Sequence, residues 1–237
     1  MGSVSAGEII RHLAILGSCA AVSNDATDST YYLGRKGRLK VVRHALPDDT
    51  EGAFHATSEV ISYDRKSLVA HSTVIRGHYI AHFYGEYQVL PSPVFARTFR
   101  HYRTEPVTAP AQNPHGDPIG LDFDAPHEKT LVARSQPLAN SRFAGHFSEY
   151  PAWPASLYCE TVSRVAGRLL EHMLERNVHF MVARMDIDPV RLISAAERVS
   201  FHVTCISASN LLNRYVFHGQ VRHEDMVVAL VEMEIYI

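Results

Sequence analysis

The stretch from Gly145 to Gly167, "GHFSEYPAWPASLYCETVSRVAG", gathers groups able to move protons. His146 supplies an imidazole whose ordinary pKa lies near neutrality, so it can take up a proton and return it. Pro151 and Pro154 follow, three residues apart, and an apolar-periodic run begins at Ala155. Proline suits the first turn of a helix, where its missing N–H costs nothing. The N–H groups left over there point outward with partial positive charge, so they would polarise a carbonyl placed against them. Glu160 adds a carboxylate in the second turn.

These groups need elements to hold them. Apolar spacing predicts a helix from about Ala155 to Leu174, with Leu157, Val162, Val165, Leu169 and Met173 facing one way. Strand-like runs follow at 181–187, 198–207, 214–221 and 226–237, and in the last of these Val227, Ala229, Val231, Met233, Ile235 and Ile237 alternate. The first half has the same order. A helix is expected over 6–22, with Ile9, Ile10, Leu13, Gly17 and Ala20 on one face, and strands at 55–63, 67–75 and 79–89. Between helix and strands, "GRKGRLK" (34–40) reads as a solvated turn. It lacks the Gly-Lys-Ser/Thr ending of a phosphate loop, and Arg35, Lys36, Arg38 and Lys40 could meet an acidic carrier protein or a pantetheine phosphate.

Laid over each other at a shift of about 147 residues, "FHATSEVIS" falls on "FHVTCISAS" and "LVAHSTV" on "YVFHGQV". The shared order indicates an internal duplication. Each unit is a helix followed by long antiparallel strands, which buries the helix against one sheet face. The expectation is an α+β chain with an N-terminal unit at 1–90, a Pro-rich linker at 91–127 and a C-terminal unit at 128–237. The two units would form one continuous sheet around two helices.

That architecture resembles the double hot-dog fold, and the stretch itself resembles the signature of the hot-dog 3-hydroxyacyl-[acyl-carrier-protein] dehydratases, H-F-P-G-x-P-x-x-P-G-x-L-x-x-E. His146, Phe147, Pro151, Pro154, Leu157 and Glu160 match it. Ser148-Glu149 stand where the family has Pro-Gly, Ala155 where it has the Gly whose N–H holds the thioester carbonyl, and Arg164 where it has Gln. The resemblance implies a lyase that removes water from 3-hydroxyacyl thioesters in fatty-acid or polyketide-type biosynthesis. It implies His146 and Glu160 as catalytic groups, and contacts to substrate from Phe147, Tyr150, Pro154, Ala155 and Arg164. In that family the His of one unit faces the acid of the other. Here the first helix aligns His12 with Glu160, and Glu8, Arg11 and His12 are the candidates it offers to His146. A thioesterase, or a degenerate hot-dog protein that only binds an acyl chain, are the alternatives.

The totals restrict the remaining classes. The net charge of −2 argues against a general nucleic-acid partner. No run approaches the roughly 18 apolar residues of a membrane span, and the N-terminal stretch carries Glu8, Arg11 and His12 where a secretory signal would be apolar. Cys19, Cys159 and Cys205 form no ligand cluster and suit reduced thiols in a cytoplasm. With no Gly-x-Ser-x-Gly elbow, an α/β-hydrolase is not expected. The implied chemistry is proton transfer, so no metal or redox cofactor is called for. The expected partner is an acyl-carrier protein or an acyl-CoA thioester, and two units in one chain allow either a monomeric pseudo-dimer or a homodimer.

Overall fold

A computed structural model describes residues 5–22, 30–43, 53–105, 116–143, 147 and 149–237. Helix α1 (Ala6–Val22) starts at Ser5, whose hydroxyl accepts the Glu8 N–H at 3.2 Å, the Ser-x-x-Glu arrangement of a helix start. It buries Ile9, Ile10, Leu13 and Gly17. Strands β1 (Thr30–Arg43), β2 (His55–Tyr63), β3 (Ser67–Arg76) and β4 (Tyr79–Pro91) follow. On β4, Ala81, Phe83, Gly85, Tyr87 and Val89 are buried in alternation, as period-2 patterning requires.

Next come a short helix α2 (Ser92–Thr98), a 3-10 turn at Arg100–Tyr102, and strands β5 (Leu121–Phe123) and β6 (Thr130–Ser135). Helix α3 (Ala155–Leu174) has Pro154 as its N-cap and ends at Glu175 in the left-handed conformation. The chain closes with β7 (Met181–Pro189), β8 (Ser200–Ser209), β9 (Arg214–His223) and β10 (Met226–Tyr236). On β10 a register shift between Val227 and Ala229 brings both Val228 and Ala229 into the core. This bulge interrupts the alternation expected from Val227 onward.

All ten strands form one sheet, in the order β2-β3-β4-β1-β7-β10-β9-β8-β6-β5. Strands β2-β3-β4-β1 on one side mirror β8-β9-β10-β7 on the other, and α1 and α3 each lie against their own half. The halves join where β1 pairs with β7 in antiparallel register, Gly37 opposite Ile187 and Leu39 opposite Met185. Among the described residues, no helix is long and apolar enough to cross a membrane.

The structure corrects the reading of "GRKGRLK" as a turn. These residues lie inside β1, at the seam between the halves. The two glycines have strand reasons that no local signal reveals. The pairing shifts register between Gly34 and Lys36, and glycine accompanies such bulges. At Gly37 a Cβ would lie 2.9 Å from Ile187 Cγ2 and 3.1 Å from the Phe83 ring, so only glycine lets the neighbouring side chains pack there. The cations keep to the solvent side, where Arg35, Arg38 and Lys40 are exposed. Lys36 lies 3.8 Å from Asp188. A second close approach brings the helices together: a Cβ on Gly7 would sit 2.8 Å from the Ser156 carbonyl oxygen and 2.9 Å from Glu160 Cβ.

Candidate active site

The start of α3 is fixed from outside the helix. Pro151 accepts the Ala195 N–H at 3.0 Å, and the Trp153 N–H donates to the Ile193 carbonyl at 2.9 Å. The Trp153 indole N–H donates to the Glu197 carbonyl at 3.1 Å. Pro154, at φ −69° and ψ 141°, then turns the chain into the helix. The first intrahelical bonds run from Leu157 and Tyr158 back to the Pro154 carbonyl. Among the described residues, the Ala155 N–H makes no hydrogen bond, as expected of the first turn.

This helix end opens on a cavity of about 880 Å³ between the two halves. Pro154, Ala155, Ser156 and Tyr158 border it from α3, and Ile10, Arg11 and Ala14 from α1. Residues 32–37 of β1 and Ile187 and Pro189 of β7 complete two of its sides. Apolar groups such as Ile10, Phe83, Phe143 and Trp153 form its greasy wall. Arg11, Arg35, Lys36, Arg142 and Arg191 give it a cationic rim, and no Asp or Glu lines it among the described residues. Burial pushes the Arg142 guanidinium below its ordinary pKa, Asp117 opposes the shift and Arg164 adds to it. Among the described residues, no group of three His, Cys, Asp or Glu is placed to hold a metal.

The residues expected from sequence separate into two sets. Phe147, Pro154 and Ala155 line the cavity. Phe147 sits at φ 56°, with its ring 5.2 Å from Phe95 and 5.6 Å from Tyr31. Tyr150 belongs to the same aromatic cluster, 5.1 Å from Phe95, and is buried without lining the cavity. His146 and Ser148 lie outside the described residues. Glu160 stands beside Gly7, where α1 crosses α3, and Arg164 donates to the Ile119 carbonyl at 2.8 Å; neither borders the cavity. His12 is exposed, 3.9 Å from Glu8. Of the three candidates on α1, Arg11 is the one that reaches the cavity. Sequence reasoning missed Trp153, Tyr158, Arg142 and Arg191. Trp153, the only tryptophan, sits inside the Pro-x-x-Pro run and was the one of these with a visible signal.

The two helices differ in surroundings. On α1, Arg11, Ala14, Ile15 and Ser18 border the cavity. On α3, Phe180 covers Gly167, where a Cβ would lie 2.9 Å from its ring, and Arg164 is taken by Ile119.

Strand order, the paired helices and the seam define the double hot-dog fold. Solved structures share it at low sequence identity. A protein proposed to be an oleoyl thioesterase from Lactobacillus plantarum aligns with TM-score 0.63 and 9% identity, over 99% of this chain and 90% of its own. An acyl-CoA thioesterase II from Mycobacterium marinum aligns with TM-score 0.56 and 15% identity, over 92% and 85%. A MaoC-like dehydratase aligns with TM-score 0.58 and 11% identity, over 100% and 85%. No protein-family model and no curated protein sequence matches the chain.

Proposed function

We propose that the protein acts on acyl thioesters held in this cavity, and that its reaction is the removal of water from a 3-hydroxyacyl chain. The observation that carries the reading is the α3 N-terminus opening, through Pro154 and Ala155, into a cavity with apolar walls and a cationic rim. The thioester carbonyl would accept the Ala155 N–H, and the partial positive charge of the helix start would stabilise the enolate-like oxygen. His146, adjacent in sequence to the cavity-lining Phe147, would take the C2 proton. The electron pair forms the C2–C3 double bond, the C3–O bond breaks, and the oxygen leaves as water with the proton that His146 returns. The cationic rim suits the phosphates of coenzyme A or of a carrier protein's pantetheine arm.

Hydrolysis of the thioester is the second reading, favoured by the two fold neighbours that carry thioesterase names. It would use the same helix end but also needs a group to activate water. Following enoyl absorbance and free-thiol release on one 3-hydroxyacyl-CoA separates the two. Dehydration predicts an enoyl signal that His146→Ala lowers by roughly 10²- to 10⁴-fold. Thiol release with no enoyl signal reassigns the protein as a thioesterase, and wild-type rates in His146→Ala remove the dehydratase reading.

A further inference from the structure

Tyr158 stands in the first turn of α3 with 2% of its surface exposed. Its hydroxyl is buried and has no hydrogen-bond partner among the described residues. Buried tyrosine hydroxyls ordinarily find a partner, because a lone donor in an apolar site loses its water bonds without replacement. Two other tyrosines that border the same cavity follow that rule. Tyr87 donates to the Ala14 carbonyl at 2.9 Å, and Tyr102 to the Leu192 carbonyl at 3.0 Å. The neighbours of Tyr158 hold its ring to small tilts, enough to turn the hydroxyl to a ligand in the cavity but not to a distant acceptor of the protein. Its ring stacks on Trp153 at 5.7 Å, and Trp153 is itself tied by its indole N–H to Glu197. Phe201 packs beside both rings, its centroid 6.5 Å from Tyr158 and 6.3 Å from Trp153.

The direction of the side chain narrows what the hydroxyl can meet. Side chains on a helix lean toward its N-terminus, and the stack on Trp153 keeps the ring at the start of α3. Tyr158 borders the cavity beside Pro154 and Ala155, at the end where the helix N–H groups emerge. Burial raises its pKa, so it keeps its proton and acts as a donor. A ligand oxygen a few bonds from the thioester carbon meets both requirements.

We propose that Tyr158 is a substrate-binding residue whose hydroxyl donates a hydrogen bond to an oxygen on C3 of the acyl chain, so that the cavity prefers 3-oxygenated thioesters over unsubstituted ones. This rests on the acyl-thioester reading above. A site that leaves a buried donor unpaired penalises the ligand lacking the acceptor.

The test measures binding by calorimetry with three hydrolysis-resistant amide analogues of coenzyme A, carrying octanoyl, 3-hydroxyoctanoyl and 3-oxooctanoyl chains. Wild type binds the two oxygenated analogues about 2- to 13-fold more tightly than the plain one, the worth of one neutral hydrogen bond. Tyr158→Phe binds all three with the affinity of the plain analogue. The ligand-free variant also unfolds at or above the wild-type temperature, because it loses only an unpaired hydroxyl. Equal binding of the three by wild type, or a preference that persists in Tyr158→Phe, overturns the proposal and leaves the acyl-thioester reading standing. So does a variant that melts several degrees lower or fails to fold, since the hydroxyl then has a structural partner. Binding of none of the three by wild type removes both readings together.

Discussion

Ala155→Pro isolates the helix-end donor from the fold. The backbone is already suited to it. Residues before proline favour extended geometry, and Pro154 has it, at φ −69° and ψ 141°. Proline is welcome at the first helical position, where its fixed φ fits and its missing N–H breaks no intrahelical bond. Among the described residues, the Ala155 N–H has no partner to lose. Stability should therefore hold or rise by roughly 0.4–1 kcal/mol, through the stiffer unfolded chain. The proposed reaction fares differently. If this N–H holds the carbonyl oxygen as charge develops, its removal costs about 3–4 kcal/mol of transition-state stabilisation, or roughly 10²- to 10³-fold in kcat. Ala155→Gly keeps the N–H and removes only a methyl, so it should stay near the wild-type rate. The assay pairs urea melts of the three proteins with enoyl formation from a 3-hydroxyacyl-CoA. A well-folded Ala155→Pro protein within threefold of wild type would refute the polarising role of the helix start.

Other outcomes follow from the same geometry. Gly37→Val places new carbons against Ile187 and Phe83 at the seam and should cost roughly 1–3 kcal/mol in urea unfolding; an unchanged midpoint would show that the seam has slack. Glu160→Gln and His12→Ala should each lower turnover by less than about tenfold, well under the loss on removing a positioned proton-transfer group, because neither residue borders the cavity; a larger loss in either would return it to the catalytic set. Glu234 is hydrogen-bonded to Arg214 at 2.7 and 2.9 Å, and this holds its pKa below the ordinary value of 4.5. Its contribution is present above that value and fades as pH falls through the lowered one. Glu234→Gln should thus lower stability near neutrality slightly, the pair being solvent-screened, and narrow the gap to wild type in acid melts; a gap that widens in acid contradicts the linkage.

What the sequence made legible was whatever periodicity encodes. Helix α3, the alternation of β4 and the doubled order of elements all rest on residues whose burial repeats at 3.6 or 2. Strand β1 was missed because its punctuation is tertiary. Gly37 exists to let Ile187 and Phe83 approach, yet within its own segment it looks like a turn residue. Helix α2 hid in a Pro-rich stretch, where Pro93 occupies its first turn. At the site, the Pro-x-x-Pro run announced the helix start, since proline acts locally. Tyr158 could not be found that way, because a buried hydroxyl without a partner is a property of its surroundings. Arg11 was one of three candidates on its helix, with Glu8 and His12, and only packing singles it out.

The seam between β1 and β7 also bears on how such a protein can change. In an oligomer of identical units, every substitution appears in each copy, and a residue that improves packing in one place is imposed on every equivalent place. Joined in one chain, the halves are released from that symmetry. Phe180 can lie over Gly167 on α3 while Ala14, Ile15 and Ser18 of α1 stay open to the cavity. Each half is then free to change where the other does not, and a substitution tolerated in one gives no forecast for its counterpart.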